Sequence, residues 1–248
     1  MKRYFFKISY DGTSFFGWQN QPKQITVQET IESNLSKIHS HRKISIAGCG
    51  RTDTGVHAKE YFFHWDDNDG IDLKEIKYKL NKMLPKSIAV HSIQEVPMDM
   101  HARFSAKERT YQYHINTVKH PFLAEQSWFV NQKLDVSKMN AAAALLIGKK
   151  DFGAFAKIHA DVNNHICDLN YIKWTENDQK IIFEIRANRF LRNMVRAIVG
   201  TLVDVGLNKI NIEEFQEIID SKNRQKASTS APAKGLYLWK VRYHLESL

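Results

Sequence analysis

One carboxylate, Asp53, stands in the run Gly48-Cys49-Gly50-Arg51-Thr52-Asp53-Thr54-Gly55-Val56-His57-Ala58, among three glycines and two basic side chains. A carboxylate kept ionised and partly dehydrated can attack as a covalent nucleophile or remove a proton, and an adjacent cation such as Arg51 offsets the cost of its burial. Gly48, Gly50 and Gly55 admit φ > 0 and let another molecule approach the main chain. Aspartates in glycine-rich turns also tie up their own backbone, so spacing alone leaves the two readings level.

The tripeptide Asp53-Thr54-Gly55 matches the active-site loop of aspartic proteases only in part. Those enzymes need two carboxylates that share a proton, whereas this chain has a single Asp-Thr-Gly, with Val56 where a hydroxyl residue usually follows. A homodimer could bring a second copy, but Arg51 would favour the fully ionised pair.

Two further constellations could serve the same chemistry. Period-2 alternation over Glu108 to Ile115 puts Tyr111, Tyr113 and Ile115 on one face of a strand, and an aromatic there can stack on a base or move a proton through its phenol. Core tyrosine is the plain alternative. In the stretch Arg189 to Gly200 the spacing predicts a helix with Leu191, Val195, Ile198, Leu202 and Val205 on one face. Arg189, Arg192 and Arg196 line another at i, i+3 and i+7. Apolar Val199 and Val203 continue that stripe, so Arg196 is expected near packed structure, where it needs an anion from the protein or from a phosphate.

The elements that must position these groups follow in a regular order. Residues 3–10 alternate as a strand, and Thr26 with Glu29 opens a helix carrying Val27, Ile31, Leu35 and Ile38. Strands are predicted over 43–47 and 56–65, and the acidic turn Asp66 to Gly70 follows. A calcium loop aligned on Gly70 would put ligands at Trp65 and Ile76, so that turn is no calcium site. Asp72 and Glu75 open a second helix that Pro85 ends, and 87–96 is another strand. This β-α-β-β-α-β order is ferredoxin-like, with helices on one face of the sheet and the other face free.

The rest of the chain reads similarly. A strand is predicted over 109–117 and a helix over 136–147 closed by Gly148. A strand pair, 166–174 with 180–188, turns at Asn177-Asp178, a helix over 190–205 precedes another from Asn211, and 235–243 closes the series as a strand. The fold class is α+β: two ferredoxin-like halves, residues 1–100 and 101–248, joined into one extended mixed or antiparallel sheet with a cleft at the junction.

Composition bounds the partner. The 248 residues carry 36 Lys and Arg against 27 Asp and Glu, a formal net charge of +9, which favours an anionic partner such as nucleic acid. Cys49 and Cys167 stand apart without a C-x-x-C, so neither a disulfide framework nor a zinc site is indicated, and a reducing cytoplasm is expected. The first residues alternate and lack the apolar run of a signal peptide or membrane span.

Read together, these motifs resemble the tRNA pseudouridine synthase A (TruA) family. The resemblance rests on Gly50 to Ala58, preceded by Tyr10-Asp11-Gly12 and Gly17-Trp18-Gln19, and continues through Val27-Gln28-Glu29. It runs on through His101-Ala102-Arg103-Phe104-Ser105-Ala106, Arg109-Thr110-Tyr111, Asn188 to Gly200, and Ala231-Pro232-Ala233-Lys234-Gly235-Leu236. It implies isomerisation of uridine to pseudouridine at positions 38–40 of the tRNA anticodon stem-loop, by a homodimer, with no cofactor and no metal. In that resemblance Asp53 matches the catalytic aspartate, Tyr111 the tyrosine stacked on the uracil, Arg196 the aspartate's basic partner, and Arg51 an RNA-contacting arginine. His57, Arg189 and Arg192 are expected as further substrate contacts. The competing class is a basic RNA-binding protein without catalysis. Two stretches depart from the family pattern: Lys59-Glu60-Tyr61, expected to add bulk and charge beside the cleft, and Gly153, Ala154 and Ala156, which replace hydroxyl residues and are expected to alter local RNA contacts.

Overall fold

The computed structural model describes residues 1–68, 70, 72–157 and 164–244. It divides into two compact units: residues 1–107 with the chain from Leu238 onward, and Glu108–Tyr237. This division falls after residue 107, whereas the sequence reading places it after 100. Segment 97–107 is fastened to the first unit: Arg3 donates to the carbonyls of Met98 and Met100, Ala102 N–H donates to His64 Nδ1 at 3.1 Å, and the Tyr243 hydroxyl donates to Ala102 O at 2.6 Å.

In the first unit the elements are β1 (Lys2–Tyr10), α1 (Val27–Ile38), β2 (Ala47–Gly48), β3 (His57–Asp67), α2 (Leu73–Met83) and β4 (Ile88–Val96). Strands run β4-β1-β3, antiparallel throughout, and β2 pairs with β3. This is the ferredoxin-like arrangement read from the sequence. The caps were equally legible: Thr26 accepts Glu29 N–H, and Asp72 accepts the N–H groups of Lys74 and Glu75. The strand expected over 43–47 shrinks to the two residues of β2, because most of that stretch takes no ladder bonds. The acidic turn is shorter than it looked. Asp66 and Asp67 still belong to β3 and pair with Arg3 and Arg42, whereas Asp69 lies outside the described residues.

Phe6, Ile8, Tyr61, Phe63 and Trp65 share one buried face of the sheet, where His39 at the end of α1 meets the Trp65 ring. The other face is not left free, contrary to expectation. It carries Arg3, Phe5 and Lys7 opposite Asp66, His64 and Phe62, and Tyr243 packs edge-on against both Phe5 and Phe62, leaving those two rings 1 % and 2 % exposed. Paired charges and a returning tyrosine close that end of the sheet.

The second unit contains β5 (Glu108–Asn116), β6 (Trp128–Phe129), α3 (Val136–Ala144), β7 (Gly148–Asp151), β8 (Ile166–Asn177), β9 (Lys180–Ala187), α4 (Met194–Gly206) and α5 (Ile212–Ser221). Its sheet runs β5-β9-β8-β7 antiparallel, and β6 adds a short parallel pairing to β5. The last strand, β10 (Leu236–Arg242), lies from Leu238 on in the first unit. The hairpin β8-β9 turns with Asp178 at φ 50° and α5 follows Asn211, both as read from the sequence; the structure adds a capping box in which Asn211 and Glu214 bond each other's backbone. Among the described residues no helix is long and apolar enough to cross a membrane.

One expectation fails in a way that matters for the site. The helix predicted from Phe190 starts only at Met194, because Asn193 takes a left-handed conformation at φ 66° and its amide donates to Ser230 Oγ. Arg189 and Arg192 thus precede the helix, so the three arginines form no helical stripe.

Candidate active site

In the first unit, the Asp53 loop is pinned on both sides of the carboxylate. Before it, the Thr52 hydroxyl hydrogen-bonds the Tyr10 phenol at 2.9 Å and Thr52 O accepts Trp18 N–H. After it, Gly55 N–H donates to Phe15 O and Val56 N–H donates back to Asp53 O, closing a turn. Gly55 has φ 77°, a conformation that a side chain would strain. The approach from outside is closer still: a Cβ at Gly12 would lie 2.0 Å from Val56 O and one at Gly17 2.3 Å from Thr52 O, so these two glycines let the 12–17 segment grip the loop. Gly50 meets no such demand, since nothing lies within 4 Å of its Cβ position.

Beneath the loop lies a buried aromatic stack. Trp18 and Tyr61 are stacked at 4.1 Å, Tyr10 leans on both, and the Tyr61 hydroxyl donates to Gly50 O at 2.5 Å. Tyr61 is therefore support for the loop and not bulk in a cleft. Glu60 is likewise engaged, with Lys7 at 2.6 Å and with Val241 N–H, which leaves Lys59 as the exposed member of that trio. Asp53 itself is half-buried and Arg51 exposed. His57, expected as a substrate contact, is 2 % exposed; its Nδ1 accepts Gly12 N–H at 3.0 Å and lies 3.2 Å from Asp11 Oδ1. Its side chain braces the turn at Gly12 that holds the loop.

In the second unit, alternation along β5 buries Tyr113 and Ile115 and leaves Tyr111 half-buried at the start of the strand, edge-on to Phe190 at 5.0 Å. Phe190 belongs to the turn before α4, and the neighbouring Arg192 carbonyl accepts Lys157 N–H. Arg192 is exposed and Arg189 half-buried.

Arg196 sits in the first turn of α4. Its Nε donates to Ala231 O at 2.7 Å, and its carbonyl accepts Ala231 N–H at 2.9 Å, so main chain and guanidinium hold the same residue. Tyr113 anchors the next residue by donating to Pro232 O at 2.7 Å; burial raises its phenol far above the ordinary range, with the charge of Arg196 acting the other way. A Cβ at Gly235 would lie 2.6 Å from the Tyr113 ring. The segment 231–235 is thus fitted between β5 and α4 and fixes the Arg196 head.

Residues 153–156 turn out to be interior. Ala154, Phe155 and Ala156 are at most 3 % exposed, and a Cβ at Gly153 would lie 3.0 Å from Lys222 O, so the missing hydroxyls belong to packing and not to an exposed contact surface.

A family model described as tRNA pseudouridine synthase matches residues 7–105 and 142–244. The chain belongs to the tRNA pseudouridine synthase family. It is an isomerase of that family, and the matched regions include Asp53 and Arg196 but not Tyr111. It is 44 % identical to tRNA pseudouridine synthase A of Bacteroides fragilis over 248 residues, covering 99 % of this chain and 98 % of that one. The corresponding protein of Parabacteroides distasonis is 45 % identical (98 % and 96 % covered), and that of Bacillus pumilus 39 % identical (95 % and 97 %).

Among the residues singled out from sequence, the first unit holds Arg51 and Asp53 in one loop with His57 opening the strand after it, and the second unit holds Tyr111 and Arg196. Sequence reasoning missed Tyr10, Trp18 and Tyr61 as the platform and Ala231 as the clamp on Arg196. Tyr10, Trp18 and Ala231 stood within quoted motifs and Tyr61 within a departing stretch, but which residue they serve is set by tertiary packing.

Proposed function

We propose that this isomerase converts uridine to pseudouridine at positions 38–40 of the tRNA anticodon stem-loop, with Asp53 as the reacting carboxylate. The observation that carries the reading is the pinning of the Asp53 loop, from Thr52 to Val56, onto buried aromatic residues. Such a loop presents one half-buried carboxylate without spending binding energy on ordering it.

The reaction must break the bond from ribose C1′ to uracil N1, turn the base, and join C1′ to C5; N1 gains a proton and C5 loses one. Ionised Asp53 serves either by attacking C1′ or by taking the 2′ proton to leave a glycal. The target base leaves its stack at a cost of a few kcal/mol, offset by contacts in the pocket. In this reading Tyr111 lies against the uracil and moves a proton, and Arg196 is the basic residue that serves the Asp53 carboxylate. Arg51, Arg189 and Arg192 meet the RNA backbone, and His57 acts through the loop it braces. The resemblance to TruA supports a homodimer acting on cytoplasmic tRNA.

The test is incubation of undermodified tRNA with wild type and Asp53→Asn, followed by chemical mapping of pseudouridine. Wild type should modify positions 38–40, and Asp53→Asn should bind tRNA without product. Binding by both with product from neither would leave an RNA-binding protein without catalysis.

A further inference from the structure

The motif His101-Ala102-Arg103-Phe104-Ser105 builds a rigid turn whose product is an exposed ring. His101 N–H donates to Ser105 Oγ at 2.9 Å and Ser105 N–H returns to His101 O at 3.0 Å. His101 Nδ1 accepts the N–H groups of Arg103 (3.0 Å) and Phe104 (3.4 Å). Ala102 is buried, held by His64 Nδ1 at its N–H and by the Tyr243 hydroxyl at its carbonyl. On this base Phe104 stands 74 % exposed, an arrangement that gives up the hydrophobic gain of burying a phenyl ring.

The ring's surroundings suit a nucleobase. The His101 ring backs Phe104 at 4.4 Å with a 37° tilt, and the exposed Arg103 guanidinium lies 5.5 Å from the ring centroid. An arginine on an aromatic face is the partner a base can replace, because the base offers its own π-face and the cation can move on to a phosphate.

We propose that this turn is a second RNA-binding site, where Phe104 stacks on a base of the bound tRNA and Arg103 pairs with a neighbouring phosphate. The proposal rests on the tRNA reading above. It is distinct from the Asp53 loop: that loop precedes the start of β3 and the turn hangs on His64, and Ala58 to His64 spans roughly 20 Å of extended strand. Stacking that is made equally in the ground and transition states tightens tRNA binding without raising kcat.

Phe104→Ala and Phe104→Trp are the variants to make, with wild type alongside. Phe104→Ala should bind tRNA about tenfold more weakly, raise KM in proportion, and keep kcat and the salt dependence of binding. Phe104→Trp should restore affinity and show tryptophan quenching on tRNA addition beyond that of wild type. Arg103→Ala should lower the salt slope by about one. Unchanged tRNA affinity in Phe104→Ala, with wild type active, would overturn the proposal alone. A change only in sedimentation would assign the ring to a contact between copies of the chain. A wild type that neither binds nor modifies tRNA would sink both this site and the reading it rests on.

Discussion

The fully buried Tyr61 donates its hydroxyl to the carbonyl of Gly50, three residues before Asp53, at 2.5 Å. The bond joins β3 to the loop it follows, so strand position and carboxylate position are one variable. Tyr61→Phe keeps the ring stacked on Trp18 but leaves a main-chain carbonyl without this donor. About 1 kcal/mol of stability should be lost in urea titration. Turnover should fall about tenfold with KM little changed, since a small displacement of a reacting group is costly. Wild-type turnover in Tyr61→Phe would show that the loop is held without Tyr61.

Arg196 has two duties, and they can be separated. Its Nε holds Ala231, and in the proposed mechanism it is the basic residue that serves the Asp53 carboxylate. Arg196→Ala should lose turnover by at least a hundredfold while tRNA affinity drops only a few-fold. Arg196→Lys, which keeps the charge without the fork, should recover part of kcat. Equal turnover in Arg196→Ala and wild type would remove the residue from the mechanism.

Helix α4 meets the 229–231 segment at Gly200. A Cβ there would sit 2.0 Å from Thr229 O and 3.2 Å from Ala231 N, both main-chain atoms that cannot swing aside. Gly200→Ala gains about 1 kcal/mol in helix propensity, yet overpacking of this kind costs about 1–3 kcal/mol, and so close a contact belongs at or beyond the top of that range. The net should be a loss of about 2 kcal/mol with reduced turnover, because the displaced segment carries the acceptor for Arg196. Calorimetry showing an unchanged or raised Tm would refute the clash.

Local rules made much of this legible from sequence and tertiary rules hid the remainder. Thr26 and Asp72 cap as read because capping is decided within four residues. The helical period through Leu191 misled. Asn193 adopts φ 66° to reach Ser230, a partner 37 residues away that no window contains. His57 looked like a ligand contact by type and place, but its Nδ1 serves Gly12, 45 residues earlier. Asp53 could be singled out because its neighbours were chemically unusual. The platform beneath it could not, since Tyr10 and Trp18 were motif residues without a stated partner and Tyr61 read as bulk beside the cleft, and only tertiary packing brings the three rings together.

His64 supplies a pH dependence whose sign can be worked out. Burial first, then the charges of Arg3 and His101, lower its pKa from 6.5 to about 4, against the opposing charge of Asp66. The unfolded chain takes up this proton near pH 6.5 and the folded chain near 4, so between those values the unfolded state binds more protons and stability falls as pH falls. The interval corresponds to roughly 3 kcal/mol, present in full above pH 6.5 and gone near pH 4. Protonation of His64 would also remove the bond in which its Nδ1 lone pair accepts Ala102 N–H. His101, whose Nδ1 accepts two N–H groups in the same turn and whose pKa is also lowered, first by burial, adds to the effect with the same sign. Urea unfolding of wild type at pH 7.5, 6, 5 and 4.5 should show stability declining through this range, and His64→Asn should flatten the decline. A variant that titrates as steeply as wild type would place the pH-sensitive group elsewhere.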